Sequence, residues 1–434
     1  MIRVRNSAVD TSTPKLSITV PTPLYGGSLP IAYHAADAFE KLGHQCQTIQ
    51  FDHQYDTYKW LAQSVDSTEG KKLQGHFAEL LADYSVEIAL ASKSDLVWYT
   101  AQTPVSVNGL RRLRSNGVKT AFWFVEDVRR FEYWKYFVAE FDVVFTIQQG
   151  AAAEAIKAAG ARKVEYLPCA ANPSVHYQRT LSKDERSRYG SEVSFVGAGY
   201  PNRVRLFNDI RIPNLKLWGN DWPKEWLSRI EEESRRVSPE ETALIYNAST
   251  MNLNIHSAIG LNAIEHGDFV NPRTFEIAAC GAFQIVDDQA PLGELFTDGE
   301  LAIVRSEAEL KKALAYYLTH SDKRLQMCEA AQARVLREHT YAHRMRCALD
   351  QVFAIPMKPK VISRQPTIAD LKTAAWGNSD MQAFLSQFND TEPASLVKLC
   401  EKVGGHGGSL SRAELTILLM REFRNWGVEK GVIQ

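Results

Sequence analysis

The chain has 434 residues, 45% of them hydrophobic and 23% charged, which suits a water-soluble protein large enough for two ordinary domains. Fifty Lys and Arg against 51 Asp and Glu leave a net charge of −1, without the basic excess that would argue for a nucleic-acid partner. No stretch approaches the roughly 20 apolar residues of a membrane span, and the six scattered cysteines contain no C-x-x-C pair, which argues against a zinc ribbon or disulfide framework and for a reduced, cytoplasmic compartment.

The polar start, MIRVRNSAVDTSTPK, lacks the apolar core of a signal peptide. From Leu16 the chain reads LSITV, then PTPLYGGSLP, then a helical pattern to Leu42 with Ile31, Ala35, Phe39 and Leu42 on one stripe, Ser28 as its cap and Gly43 as its stop. Short apolar runs follow at 95–100, 119–125, 142–147 and 164–168, with helical patterns such as GAAAEAIKAAG between them. That order predicts βαβα units and a parallel sheet. A polar, Pro-containing stretch at 172–192 reads as an interdomain linker. The rhythm then restarts with strands at 193–199, 215–219, 251–256, 283–286 and 301–304, and helices that include 306–319 and 322–338.

The expected architecture is therefore α/β, with two Rossmann-like doubly wound domains facing a cleft. We assign 1–178 to the first domain, 179–356 to the second and 357–434 to an all-helical extension. The extension begins at a connector, MKPKVISRQPT, and no fixed-period repeat runs through it. Its last segment carries Leu415, Leu418, Leu419 and Phe423 at helical spacing, read as a packing face, with a homo-oligomer or partner surface as the sharper alternative. His34, on the first helix, reads as a satisfied core or polar-face residue, with acceptor binding as the alternative.

Ligands of open α/β sheets bind outside the carboxyl ends of the strands, so four strand-end segments are the candidate site. In PLYGGS, Gly26 and Gly27 let backbone approach a phosphate or sugar, although a tight turn explains them equally well. In FVEDVRRFEYW, Glu126 and Asp127 can accept a proton from an attacking hydroxyl or bind acceptor hydroxyls; a solvated acidic turn is the alternative. In VGAGYPNRVRLF, Gly197 opens a loop beside Arg203 and Arg205, whose guanidinium groups suit a diphosphate or a plain charged helix start. In DFVNPRTFEIAACG, Asn271, Arg273, Thr274 and Glu276 crowd one helix start, with Asp268 completing a D-x7-E spacing. A Glu in a first helical turn is commonplace because the helix dipole favours it, but this concentration of polar groups favours a site. Asp287 and Asp288 are adjacent after a strand, point apart, and form no metal motif.

At RTFEIAACG (273–281) the sequence resembles the CgeB-like group of GT-B glycosyltransferases, whose second domain carries R-x-F-E-x-x-A-x-G. Supporting segments are YGGSLP, FWFVEDVRRF, VSFVGAGYPNR and NLNIHS, so the similarity extends over most of 16–345 and leaves the helical tail unexplained. The resemblance implies a nucleotide-sugar donor held mainly by the second domain and an acceptor held by the first. It gives Glu276 the donor ribose, Asp268 the side of the transferred sugar, and Arg203 and Arg205 the diphosphate. Where related retaining enzymes have Glu, this chain has Asp268, shorter by one methylene. The resemblance further implies a metal-independent, retaining hexosyl transfer to a hydroxyl of a glycan, protein or small acceptor, a cell-surface glycan among them, with no cofactor beyond the nucleoside-diphosphate sugar. Two alternatives stand beside this: a nucleotide-sugar epimerase of the same fold, which would need no acceptor, and a non-catalytic protein that binds a partner.

Overall fold

The computed structural model describes residues 14–429 except 64, 66, 213, 259–261, 263, 356–366, 376 and 405–407, and leaves out the side chains of 423, 424 and 426–429. The polar start to residue 13, almost all of the connector, the 356/357 boundary and the Phe423 side chain therefore lie outside the described residues. The chain divides into two compact units, Met1–Met357 and Lys358–Gln434.

The first unit holds two parallel sheets. Strands β1 (Ser17–Pro21), β2 (Gln45–Ile49), β3 (Leu96–Thr100), β4 (Lys119–Phe124), β5 (Val143–Thr146) and β6 (Val164–Tyr166) pair in the order β2-β1-β3-β4-β5-β6. β3, β4 and β5 are buried along their whole length, which is why they read as unbroken apolar runs rather than alternating ones. β2, QCQTI, is an edge strand with alternating exposure, and its polar face hid it from the sequence pattern. Strands β7 (Ser191–Val196), β8 (Leu215–Trp218), β9 (Ser249–Asn254), β10 (Gln284–Asp287) and β11 (Ala302–Val304) form the second sheet in the order β11-β10-β9-β7-β8. Both orders reverse direction part-way, as doubly wound sheets do, and each reversal opens a crevice at the strand carboxyl ends.

Helix Ser28–Lys41 follows β1, but Ser28 does not cap it. The cap position is Gly27, and Ser28 is buried inside the first turn. Gly43 adopts φ +90° just past the helix, the left-handed stop expected of glycine. The stretch expected to be a linker contains helix Lys183–Tyr189, whose Ser182 and Glu185 form a reciprocal capping box. Helix Tyr341–Phe353 returns to the first sheet, where Arg344 Nε donates to Pro168 O at 2.9 Å and Lys163 Nζ donates to Gln351 Oε1 at 2.6 Å. One apolar cluster thereby runs from Trp98, Trp123 and Phe145 to Phe275, Val286 and Met345.

In the second unit, helices Ile368–Ala374, Ser379–Leu385, Leu396–Gly404 and Arg412–Glu429 pack around Phe384, Leu385, Leu399 and Ile417. The expected packing face of the last helix is corrected: Ala413 and Ile417 are buried, whereas Leu415 and Leu419 are more than half exposed. Leu415 lies about 200° around the helix from Ala413, and among the described side chains of the expected stripe only Leu418 touches the core. No helix among the described residues is long and apolar enough to cross a membrane.

Candidate active site

Strand-end loops from both sheets line the cleft. After β1, Gly26 takes φ +98°, a backbone conformation that favours glycine, and a Cβ there would displace the Gln102 amide. After β4, in a bend of the chain, Glu126 and Asp127 take different partners. Tyr133 Oη donates to Glu126 Oε2 at 2.8 Å and accepts from Gln102 N at 2.8 Å. Burial pushes Glu126 up to about 7, against the opposing pull of the Tyr133 hydrogen bond and Arg130. Asp127 instead faces Arg129 Nε at 2.9 Å and Gln148 Nε2 at 3.1 Å. Burial acts to raise its pKa, but those hydrogen bonds hold it below the ordinary carboxylate value.

Asp268 belongs to the second half of the chain, yet its Oδ1 accepts from Arg129 Nη2 at 2.9 Å and from Gln148 Nε2 at 2.9 Å. Asp127 and Asp268 therefore share two donors, and Asp268 remains 37% exposed. A second bridge lies nearby: the Arg130 guanidinium sits 4.2 Å from the centre of the Tyr200 ring. Arg129, Arg130, Tyr133 and Gln148 were not singled out from the sequence. The arginines stood in the quoted segment FVEDVRRFEYW; Gln148 had no local signal.

In the second half, Asn271 caps helix Pro272–Ala279 by accepting from Thr274 N at 3.2 Å. Its backbone N–H donates to His256 Nε2 at 2.9 Å, so that nitrogen carries a lone pair, and Nδ1–H donates to Asp287 Oδ1 at 2.7 Å. Burial lowers the His256 pKa despite Asp287, consistent with a neutral ring. Asn254 joins the network, donating to Thr274 Oγ1 at 2.8 Å and to Gln284 Oε1 at 3.1 Å. These groups fix the start of the helix, and with it Arg273 and Glu276. His256 and Asp287 do this work unforeseen, because their pairing joins β9 to β10.

Glu276 is 14% exposed, with His176 Nε2 at 4.0 Å and Tyr246 beside it. Burial pushes it up to about 7, although Arg273 and Tyr246 pull the other way. Burial also lowers both His176 and its neighbour His34, whose rings meet edge to face at 5.4 Å. His34 is thus a buried core residue, held by Asn172 at 3.2 Å. Arg273 Nη1 donates to Val196 O at 2.7 Å and stands 2.7 Å from where a Cβ on Gly197 would lie.

Four expected ligand residues are corrected. Arg203 is 2% exposed and spends its donors on Ile255 O (3.1 and 2.8 Å) and Ala198 O (3.0 Å), so it braces the Gly197 loop from behind. Arg205 lies about 200° around the same helix, exposed and 3.6 Å from Asp209, and does not join Arg203. Thr274 is fully buried, and Asn271 nearly so, with their polar groups committed to the cap. Arg236, which the sequence did not suggest, lies near the first glycine loop: its Nη2 is 3.9 Å from a Cβ placed on Gly27.

The Gly197 loop also depends on Gly219, which has φ +116° and whose Cβ would stand 2.5 Å from Gly197 O. Gly219→Ala is expected to cost about 2–4 kcal/mol through backbone strain and collision with main chain. Urea unfolding would measure it, and a loss under about 0.5 kcal/mol would contradict that packing.

Residues 202–350 match the family model described as glycosyl transferase-like. The chain is 28% identical to the spore protein CgeB of Bacillus subtilis (strain 168) over 226 residues, 49% of this chain and 68% of that relative. Among solved structures, sucrose-phosphate synthase from Thermosynechococcus elongatus has a TM-score of 0.53 at 12% identity, covering 79% of this chain and all of that one. HepE from Anabaena, in complex with UDP-glucose, has a TM-score of 0.53 at 11% identity, covering 78% of this chain and all of that one. These likenesses identify the two-sheet architecture as the GT-B fold.

Proposed function

We propose that this chain, a CgeB-like glycosyltransferase of the GT-B fold, moves a sugar from a nucleoside diphosphate to an acceptor hydroxyl bound by the first half of the chain. The observation that carries the reading is Glu276: a buried carboxylate in the second turn of a helix at the carboxyl end of the second sheet, with Arg273 three residues before it on the same face. A carboxylate accepts two hydrogen bonds side by side, as the paired hydroxyls of a ribose offer them. Structural arguments alone would not justify an acid there, since burial makes its charge costly.

The diphosphate is assigned to the Gly197 loop, Arg273 and Arg236. As the bond between the anomeric carbon and the diphosphate oxygen breaks, negative charge grows on that oxygen and positive charge on the sugar ring. Guanidinium groups stabilise the first. Asp268 is assigned to the sugar side, where a carboxylate held by Arg129 and Gln148 stabilises the second and orients ring hydroxyls. Glu126 takes the proton of the attacking hydroxyl; a carboxylate near 7 is a far better base than an ordinary one. No resident metal or cofactor takes part, and retention requires the acceptor hydroxyl to enter on the face from which the diphosphate departs.

The test is turnover with a panel of nucleoside-diphosphate sugars headed by UDP-glucose, with acceptor pools added. Diphosphate release that rises with acceptor supports the reading. A change in the free donor without acceptor would identify an epimerase, and no release with any pair would leave a binding protein. Asp268→Asn is expected to lower kcat about 10²-fold with little change in donor affinity, because its charge acts in the transition state. An equal loss in affinity would place Asp268 on the donor instead.

A further inference from the structure

Apart from the cleft, a cavity of about 520 Å³ opens between β2 and helix Ser67–Ala91. That volume falls within the usual size of small-molecule sites. None of its described lining side chains is charged, although 23% of the chain is. Gln47, Gln50 and Gln54 are exposed along one wall, with Thr48 between them. Leu80 and Tyr84, exposed by 64% and 51%, form the other wall.

This composition has a definite chemical match. A glutamine amide offers donors and an acceptor without charge, as a sugar hydroxyl does, and an exposed tyrosine ring offers an apolar face to the C–H side of a sugar ring. An ionic ligand would find no counter-charge among these lining side chains. β2 is the edge of its sheet, and Gln45 N donates to Leu16 O at 2.8 Å while Thr22 N donates to Ile49 O at 2.9 Å. Odd-numbered β2 residues therefore turn their backbone towards β1, and Cys46 and Thr48 turn theirs outward.

The cavity also lies towards the catalytic end of the sheet. Gln50 and Phe51 follow β2 at its carboxyl end, the end from which Gly26 and Glu126 project. Leu24, Phe51 and Leu81 form one buried cluster beneath this surface. Tyr55, the residue after Gln54, stacks on Tyr25 with ring centres 4.8 Å apart, and Tyr25 precedes Gly26. The stacked Tyr55 and Tyr25 rings thus lead from the cavity to the glycine loop, with Lys59 Nζ 4.8 Å from the centre of the Tyr55 ring beside them.

Resting on the transfer reading above, we infer that this cavity is a distal acceptor subsite that holds the non-reacting part of an uncharged oligosaccharide, whose reacting end lies by Tyr25 and Glu126. Short linear oligomers of glucose, N-acetylglucosamine and mannose, an oligogalacturonate and an uncharged extended peptide should be titrated calorimetrically into the full chain, Tyr84→Ala and Gln54→Ala. UDP serves as the control. At least one neutral oligosaccharide is expected to bind at millimolar concentration or below and to weaken about tenfold in each variant, with UDP affinity unchanged. The inference fails if UDP binds but no neutral oligosaccharide does, if both variants bind the sugar as the wild type does, or if the peptide or oligogalacturonate binds in its place. Failure of every nucleotide to bind, with sugar binding still dependent on Tyr84 and Gln54, would remove the donor reading and keep the cavity as a glycan site.

Discussion

Glu276→Gln should make the protein more stable at pH 8 and all but inactive. Burial raises the carboxyl from an ordinary 4.5 to about 7, so the folded state holds a proton that the unfolded state has lost between those values. Its contribution to stability is fully present below about 4.5 and is lost as pH rises through about 7. Above that the buried charge costs roughly 3 kcal/mol, which a neutral amide of the same shape avoids. Urea midpoints should therefore favour the variant at pH 8 and converge with the wild type at pH 5. Turnover should fall about a hundredfold or more, because hydrogen bonds to a charged acceptor contribute roughly 1.5–3 kcal/mol each and the amide keeps only part of that pairing. Ribose hydroxyls favour the ionised form, so donor binding near pH 6.5 should release protons. A less stable variant at pH 8, or one that keeps its activity, would make Glu276 a structural residue.

The second large effect is expected at Glu126. Glu126→Gln should lower kcat by about 10²–10⁴, the usual worth of a positioned base. Wild-type turnover should rise with pH through an apparent pKa near 7, matching the carboxyl pushed up to about 7 by burial. The Tyr133 hydroxyl favours the charged carboxylate, so its loss in Tyr133→Phe should carry that limb to higher pH. A purely structural role for Tyr133 would lower activity or stability without moving the limb. A flat profile in the wild type, or an unmoved limb in Tyr133→Phe, would overturn the assignment.

The alternation of short apolar runs with helical patterns made the parallel sheets legible, because buried parallel strands carry their signal in consecutive residues such as FWF and VVF. β2 escaped because an edge strand with glutamines has no such signal. Glu276 and Arg273 were legible as an unusual pair at a helix start. What stayed hidden is tertiary. Arg203 has the chemistry of a phosphate ligand, yet the carbonyl of Ile255, 52 residues away, takes its guanidinium. Asn271 and Thr274 look like ligand groups, but Asn271 Oδ1 is spent on capping Thr274 N and Thr274 Oγ1 accepts from Asn254 Nδ2. Arg129 and Gln148 became visible as partners of Asp268 only when the chain brought 139 and 120 residues of separation down to hydrogen-bond length.

The most direct measurement is calorimetric titration of nucleoside diphosphates, UDP first, into the wild type and Glu276→Ala at pH 8. At least one should bind the wild type at micromolar concentration and lose about a hundredfold or more in the variant, while the corresponding inorganic pyrophosphate binds both alike. Equal nucleotide affinity in the two proteins would contradict the ribose assignment, and with it the placement of the donor on the second half of the chain.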